Sequence, residues 1–217
     1  MLKLTHLTKT YKEKRIFQNA RFEAELGEIV LLMGKSGIGK STLLDIIAGI
    51  KQYDSGEYYY QETQLFPEND EQMSRFRNQM IGYILQDFAL IDDYTVMENI
   101  MLPSLYNSQI KKSTAEKRAR ELANRFDLSD VLAEKVRKIS GGQKQRAAII
   151  RSLILDPPII LADEPTTNLD SENFELVMRL FNQLKQEGKV LIIATHDERI
   201  LSIADKAYHV VNYKIIV

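Results

Sequence analysis

Gly34-Lys35-Ser36-Gly37-Ile38-Gly39-Lys40-Ser41 spells G-x-x-x-x-G-K-[ST], and its flanks decide the fold. The preceding run, Glu28-Ile29-Val30-Leu31-Leu32-Met33, is apolar and strand-sized. The following run, Thr42 to Ile50, carries apolar residues at helical spacing. Strand, glycine loop and helix in that order form a cradle for phosphate. The glycines let backbone N–H groups turn toward phosphate oxygens, and the helix start adds unpaired N–H groups and a positive dipole end. Lys40 is suited to the β- and γ-phosphates, and the Ser41 hydroxyl to Mg²⁺. Residues 34 to 42 therefore predict binding of a nucleoside triphosphate.

At 217 residues the chain suits one large domain or two small ones, and no linker, repeat or low-complexity segment divides it. A single domain over residues 1–217 is expected. The formal net charge of -1 gives no basic footprint for nucleic acid. The absence of cysteine excludes disulfides, thiolate metal sites and a cysteine nucleophile. The first residues, MLKLTHLTKTYKEKR, lack the apolar core of a signal peptide, and no apolar run is long enough to span a membrane. These features predict a cytosolic chain that reaches a membrane only through a partner.

Short apolar runs alternate with helical patterns, which predicts an α/β fold around a mainly parallel sheet. Leu2 to Leu7, Arg15 to Leu26 and Gly56 to Tyr60 read as antiparallel strands near the N-terminus, with Tyr58-Tyr59-Tyr60 taken as strand packing. A helix is predicted over Asp70 to Met80 and a strand over Ile81 to Leu85. A charged, helical stretch follows, forming a helical subdomain at about 88–140. Within it, Ser113-Thr114-Ala115-Glu116 predicts a capping box opening a helix to about Phe126. Ser140 should start a second helix through Leu155, stopped by Asp156-Pro157-Pro158. Pro158 to Ala162 and Lys189 to Ala194 read as strands buried on both faces, with an amphipathic helix over Glu172 to Gln186 between them.

The strand Ile159-Ile160-Leu161-Ala162 runs into Asp163-Glu164. A carboxylate at such a strand tip beside the phosphate loop can hold Mg²⁺, the role predicted for Asp163. Glu164 can face the γ-phosphate and accept a proton from attacking water. Ile139-Ser140-Gly141-Gly142-Gln143 sets a serine and two glycines at a helix N-terminus, which either caps the helix or adds a second anion-binding surface.

In this order the motifs resemble those of the ATP-binding cassette (ABC) ATPases, whose signature L-S-G-G-Q differs here only by Ile139. The resemblance runs along essentially the whole chain. It implies an ABC-type P-loop NTPase fold, with an N-terminal antiparallel β subdomain and a helical subdomain beside the core sheet. It also implies that Tyr11 stacks on adenine, that Gln86 touches Mg²⁺ and the attacking water, and that His196 meets the γ-phosphate. Asn168-Leu169-Asp170 matches the D-loop, with Asp170 at the nucleotide.

By the same resemblance, ATP and Mg²⁺ are the ligands and two copies pair head to tail. Ser140, Gly141, Gly142 and Gln143 of one copy then cover the nucleotide on Lys40 and Ser41 of the other. An integral membrane permease is the implied partner, docking near Phe88, Leu90, Ile91 and Tyr94 at the cytoplasmic face of the membrane. Phe76-Arg77-Asn78, Ile81-Gly82-Tyr83 and Asp163 to Asp170 resemble the macrolide-export and lipoprotein-release subgroup, except for Thr167 where glycine is usual. Gln86 to Ile91 and Thr95 to Asn99 look most like the ATPases of lactococcin-type bacteriocin exporters. The implied function is to energise export or handling of a peptide, bacteriocin, antimicrobial or lipoprotein. The alternative is a mechanotransmission ATPase driving a membrane protein without moving a solute.

Overall fold

A computed structural model describes residues 1–167 and 169–217. Two sheets organise it. Strands β1 (Leu2–Tyr11), β2 (Lys14–Ala24), β4 (Ser55–Tyr60) and β5 (Thr63–Leu65) form an antiparallel sheet in the order β2-β1-β4-β5. Strands β3 (Ile29–Met33), β6 (Ile81–Ile84), β7 (Ile159–Asp163), β8 (Val190–Ala194), β9 (Lys206–Val211) and β10 (Lys214–Ile216) form the second, in the order β10-β9-β3-β8-β7-β6. All its neighbours run parallel except the β10–β9 hairpin at the edge. Both predicted sheets are present. β1 is longer than expected, and β2 stops at Ala24, ahead of the turn at Gly27.

Strands β3, β7 and β8 are buried at every position, which is why each reads as an unbroken apolar run. Alternate residues serve opposite faces. Ile29 and Leu31 join the core beneath helices α5 (Gly141–Leu153) and α6 (Ser171–Gln186). Val30 and Leu32 join α1 (Lys40–Ile47) and the antiparallel sheet. Tyr58 is fully buried on that side and donates its hydroxyl to the Ile47 carbonyl at 2.9 Å, so the tyrosine run is packing, as expected. Helix α2 (Asp70–Met80) is capped by Asn69 and packs Met73 and Phe76 into the same core.

The helical stretch contains α3 (Val96–Met101) and α4 (Lys112–Arg125), with short 3₁₀ turns between and after them. The capping box predicted at Ser113 is not formed. The Lys111 carbonyl already accepts from the Thr114 and Ala115 N–H groups at 3.0 and 3.1 Å, so α4 starts before Ser113 and that residue lies inside its first turn. Helices α3 and α5 carry the true boxes. Thr95 pairs reciprocally with Glu98, and Ser140 with Gln143. Helix α5 ends at Leu153, two residues short of the predicted Leu155, and the turn beyond it carries Asp156 at a φ of 56°.

Because the sheet is parallel, β3, β6, β7 and β8 all deliver their C-terminal ends to one edge. Crevices at that edge are where open α/β sheets bind ligands. The register of β6 is held by a close approach: a Cβ added at Gly82 would lie 2.3 Å from the Ser152 carbonyl oxygen of α5 and 2.9 Å from Pro157 Cγ. Gly82→Ala is therefore expected to cost about 1–3 kcal/mol, a fall in Tm of roughly 2–10 °C. An unchanged melting curve would mean that α5 and β6 are not in this contact.

Candidate active site

The loop between β3 and α1 wraps around the Lys40 side chain. Gly34, Gly37 and Gly39 take φ values of 143°, 72° and 123°, which L side chains resist. Gly39 is doubly constrained, since an added Cβ would lie 2.6 Å from Ile16 Cγ2. Lys40 is 6% exposed and its ammonium donates to the Gly34 carbonyl at 2.9 Å and the Lys35 carbonyl at 3.4 Å. Its third neighbour is Glu164 Oε1 at 3.7 Å. Helix α1 has no side-chain cap, so its first N–H groups face the loop interior.

Glu164 sits just beyond β7 with a φ of 48°, its N–H held by the Ala194 carbonyl at 2.8 Å. This bend turns its carboxylate toward the loop, and Glu164 Oε2 lies 2.9 Å from His196 Nδ1. His196 follows β8 and is largely exposed. Thr166 donates to Asp197 at 3.1 Å, and Thr195 accepts from the Asp197 N–H at 3.0 Å, so the two strand tips are stitched together.

A cleft of about 370 Å³ gathers Tyr11, Ser36, Gly37, Gly39, Lys40, Ser41, Thr42, Gln86, Glu164 and His196 from among the predicted site residues. Lys14, Ile16 and Thr167 also line it. Those three were not among the predicted site residues, because nothing local distinguishes a lysine and an isoleucine on a hairpin from ordinary strand residues. Gly34, Lys35 and Ile38 shape the loop from behind. Ile38 packs against the core and its Cγ2 would lie 3.2 Å from a Cβ on Gly34.

Asp163 is buried at the end of β7, and its Oδ1 has no hydrogen-bond partner among the described residues. Burial pushes its pKa up, Ser41 opposes this through a hydrogen bond, and the nearby Glu164 and Asp45 charges add to the rise. A buried carboxylate oxygen without a donor, beside a hydroxyl, is an all-oxygen set that fits a hard divalent cation.

The predicted signature residues lie elsewhere. Gly141, Gly142 and Asp170 line a second cleft of about 670 Å³ together with Asp163, and Gln86 and Thr167 border both clefts. Ser140 and Gln143 serve as the cap of α5: Gln143 N–H donates to Ser140 Oγ at 3.3 Å, and Ser140 N–H donates to Gln143 Oε1 at 2.9 Å. Gln143 thus has a capping role that leaves its side chain turned back along the helix. Asp170 caps α6 by accepting from the Asn173 N–H at 2.8 Å. Asn173 also accepts from Arg146 of α5 at 2.8 Å and would meet a Cβ on Gly142 at 2.7 Å. This joins the start of α5 firmly to the start of α6. Asn168 lies outside the described residues.

The chain belongs to the ABC transporter family, whose model matches residues 17–167. It is an ATP-binding subunit of that family and an ATPase. It is 39% identical to the uncharacterized ABC transporter ATP-binding protein YvrO of Bacillus subtilis, over 95% of this chain and 91% of that protein. It is 35% identical to the lipoprotein-releasing system ATP-binding protein LolD of Bacteroides fragilis, over 100% of both. Among solved structures, a dimeric form of the ABC transporter cassette MJ0796 matches with a TM-score of 0.90 and 34% identity, covering 99% of this chain and 96% of that one. A post-hydrolysis MJ0796 dimer bound to ADP and Pi gives 0.91 at the same identity and coverage.

Asp163 provides a test of the site's electrostatics. A carboxyl whose folded pKa is raised adds stability below its ordinary value of 3.8, and that stability is lost as pH rises through the folded value. At neutral pH the ionised group is thus a net cost to the empty protein. Asp163→Asn should raise the Tm of the ligand-free protein at pH 7, with the gain shrinking toward pH 4. It should also remove any added stabilisation by Mg²⁺ in the presence of ATP. A lower Tm at pH 7 would contradict this electrostatic account.

Proposed function

We propose that this chain is the motor subunit of a membrane export or release system, in which two copies close head to tail on ATP and open again after hydrolysis. The observation that carries the proposal is the division of the predicted nucleotide residues between two surfaces. Lys40, Ser41, Glu164 and His196 line one cleft, whereas Gly141 and Gly142 border another. A nucleotide held by the first set leaves the second without a ligand in the same copy. A second copy presenting its α5 N-terminus would add N–H groups and a positive dipole end to a triphosphate whose charge exceeds that of Lys40. The MJ0796 cassettes are dimeric, one of them bound to ADP and Pi, which supports pairing of two copies.

Within the site, the Tyr11 ring stacks on the base and the glycine loop holds the phosphates with Lys40. Asp163, Ser41 and Gln86 are the residues that would hold Mg²⁺, which when bound neutralises phosphate charge. Glu164 acts as general base: it takes a proton from water as the water oxygen bonds the γ-phosphorus and the bridging oxygen leaves with ADP. His196 Nδ1, 2.9 Å from Oε2, keeps that carboxylate oriented. Lys40, 3.7 Å from Oε1, is drawn from Glu164 toward the phosphates once they arrive. Gln143 assists indirectly by fixing Ser140.

No described helix is long and apolar enough to cross a membrane. Ile91 and Tyr94 are 42% and 44% exposed beyond the Gln86 loop, and Arg151 of α5 grips that loop by donating to the Phe88 carbonyl at 2.6 Å. We assign this segment to the permease contact at the cytoplasmic face of the membrane. Resemblance to the lipoprotein-releasing system protein LolD supports a lipoprotein substrate, carried by the permease.

Glu164→Gln should retain affinity for ATP within a few-fold and lower phosphate release by about 10²–10⁴-fold. Phosphate release at the wild-type rate would remove Glu164 from the role of base.

A further inference from the structure

A polar path along α1 runs from the Tyr11 end of the nucleotide cleft to the neighbouring cleft, which shares Gln86 with it. At one end, the Lys51 ammonium, just past α1, lies 5.9 Å from the centre of the Tyr11 ring. Lys9, itself 3.4 Å from Asp54, covers the same ring at 4.8 Å. Lys51 is bound to Asp45 Oδ2 at 2.9 Å. The other carboxylate oxygen of Asp45, Oδ1, accepts the Tyr83 hydroxyl at 3.0 Å. Tyr83 belongs to β6, the strand that leads directly to Gln86, and it borders the same cleft as Gln86 and Asp163.

Each link is short and partly shielded. The Asp45 side chain is 18% exposed, so its charge is only partly screened and it is satisfied from both sides. Phenylalanine at position 83 would fill the same space but leave Asp45 without its second donor. Methionine at position 51 would leave the carboxylate without its cation and the ring without a charge on that side. Neither change touches a residue that meets the phosphates.

We propose that Asp45 is a positioning residue that couples the base-stacking ring of Tyr11, through Lys51, to Tyr83 and hence to Gln86. A base seated on Tyr11 fixes the Lys51 head, which fixes Asp45 and the end of β6. Base recognition then strengthens the grip of the Gln86 end on the phosphates. The proposal rests on the reading of Tyr11 as the stacking residue and Gln86 as a phosphate-end residue.

The test is a double-mutant cycle on the full-length chain, titrated with a non-hydrolysable ATP analogue and Mg²⁺. Tyr11→Leu alone should weaken binding. In a Tyr83→Phe background its effect on Kd should be smaller by at least about threefold, where uncoupled residues would give equal effects. Lys51→Met should shrink it likewise, and Lys51→Arg, which keeps both the ion pair and the cation over the ring, should restore it. Should Tyr83→Phe fail to fold, the Lys51 pair carries the same comparison. Equal effects of Tyr11→Leu in every background would overturn the coupling while leaving the stacking role intact. No effect of Tyr11→Leu on its own would overturn the stacking role, and the coupling with it.

Discussion

A buried ammonium organises this molecule. Lys40 is enclosed by a loop that only glycine can trace, and its partners are two backbone carbonyls and the Glu164 carboxylate. Burying a cation is costly unless strong partners replace water, and carbonyls replace it only in part. The pocket is therefore poised for a multiply charged anion. The opposite imbalance occurs at Asp163, a buried carboxylate with one oxygen lacking a donor among the described residues. A cation seeking an anion and an anion seeking a cation share one sheet edge, and a metal-bound triphosphate satisfies both.

The sheet makes this juxtaposition possible. β3 carries the lysine loop, β7 the two carboxylates, β8 the histidine and β6 the glutamine, and parallel pairing brings all four tips together. The signature glycines belong to α5, which packs on the helical side of the same sheet and is tied to α6 through Arg146, Asn173 and Asp170. That linkage fixes the direction in which the start of α5 faces. Gly141 lines the neighbouring cleft and not the Lys40 cleft, which under the proposed function leaves it for another copy.

Most of this was legible in the sequence because it is local. The glycine loop, the acidic strand tip and the buried apolar strands each reveal themselves within about ten residues. The missed features depend on geometry that no local pattern encodes. Ser113 satisfied the capping rule, but the Lys111 carbonyl started α4 earlier. Gln143 matched a signature position, yet its side chain is spent on the cap of its own helix. Lys14 and Ile16 reach the cleft through a hairpin, and Asp45 meets Tyr83 across 38 positions of chain. Periodicity indicates which face of a strand is buried, not which distant side chain waits there.

The central claim is that the α5 start of one copy completes the nucleotide site of another, and solution mass under a non-hydrolysable ATP analogue with Mg²⁺ tests it most directly. An added Cβ at Gly141 would meet nothing within 4 Å, so Gly141→Asp puts a negative charge on that surface without crowding the fold. The wild-type chain should double from its 25.0 kDa, and the variant should bind the analogue yet stay single. A wild-type protein that remains single at saturating analogue, or a variant that doubles as readily, would contradict the account.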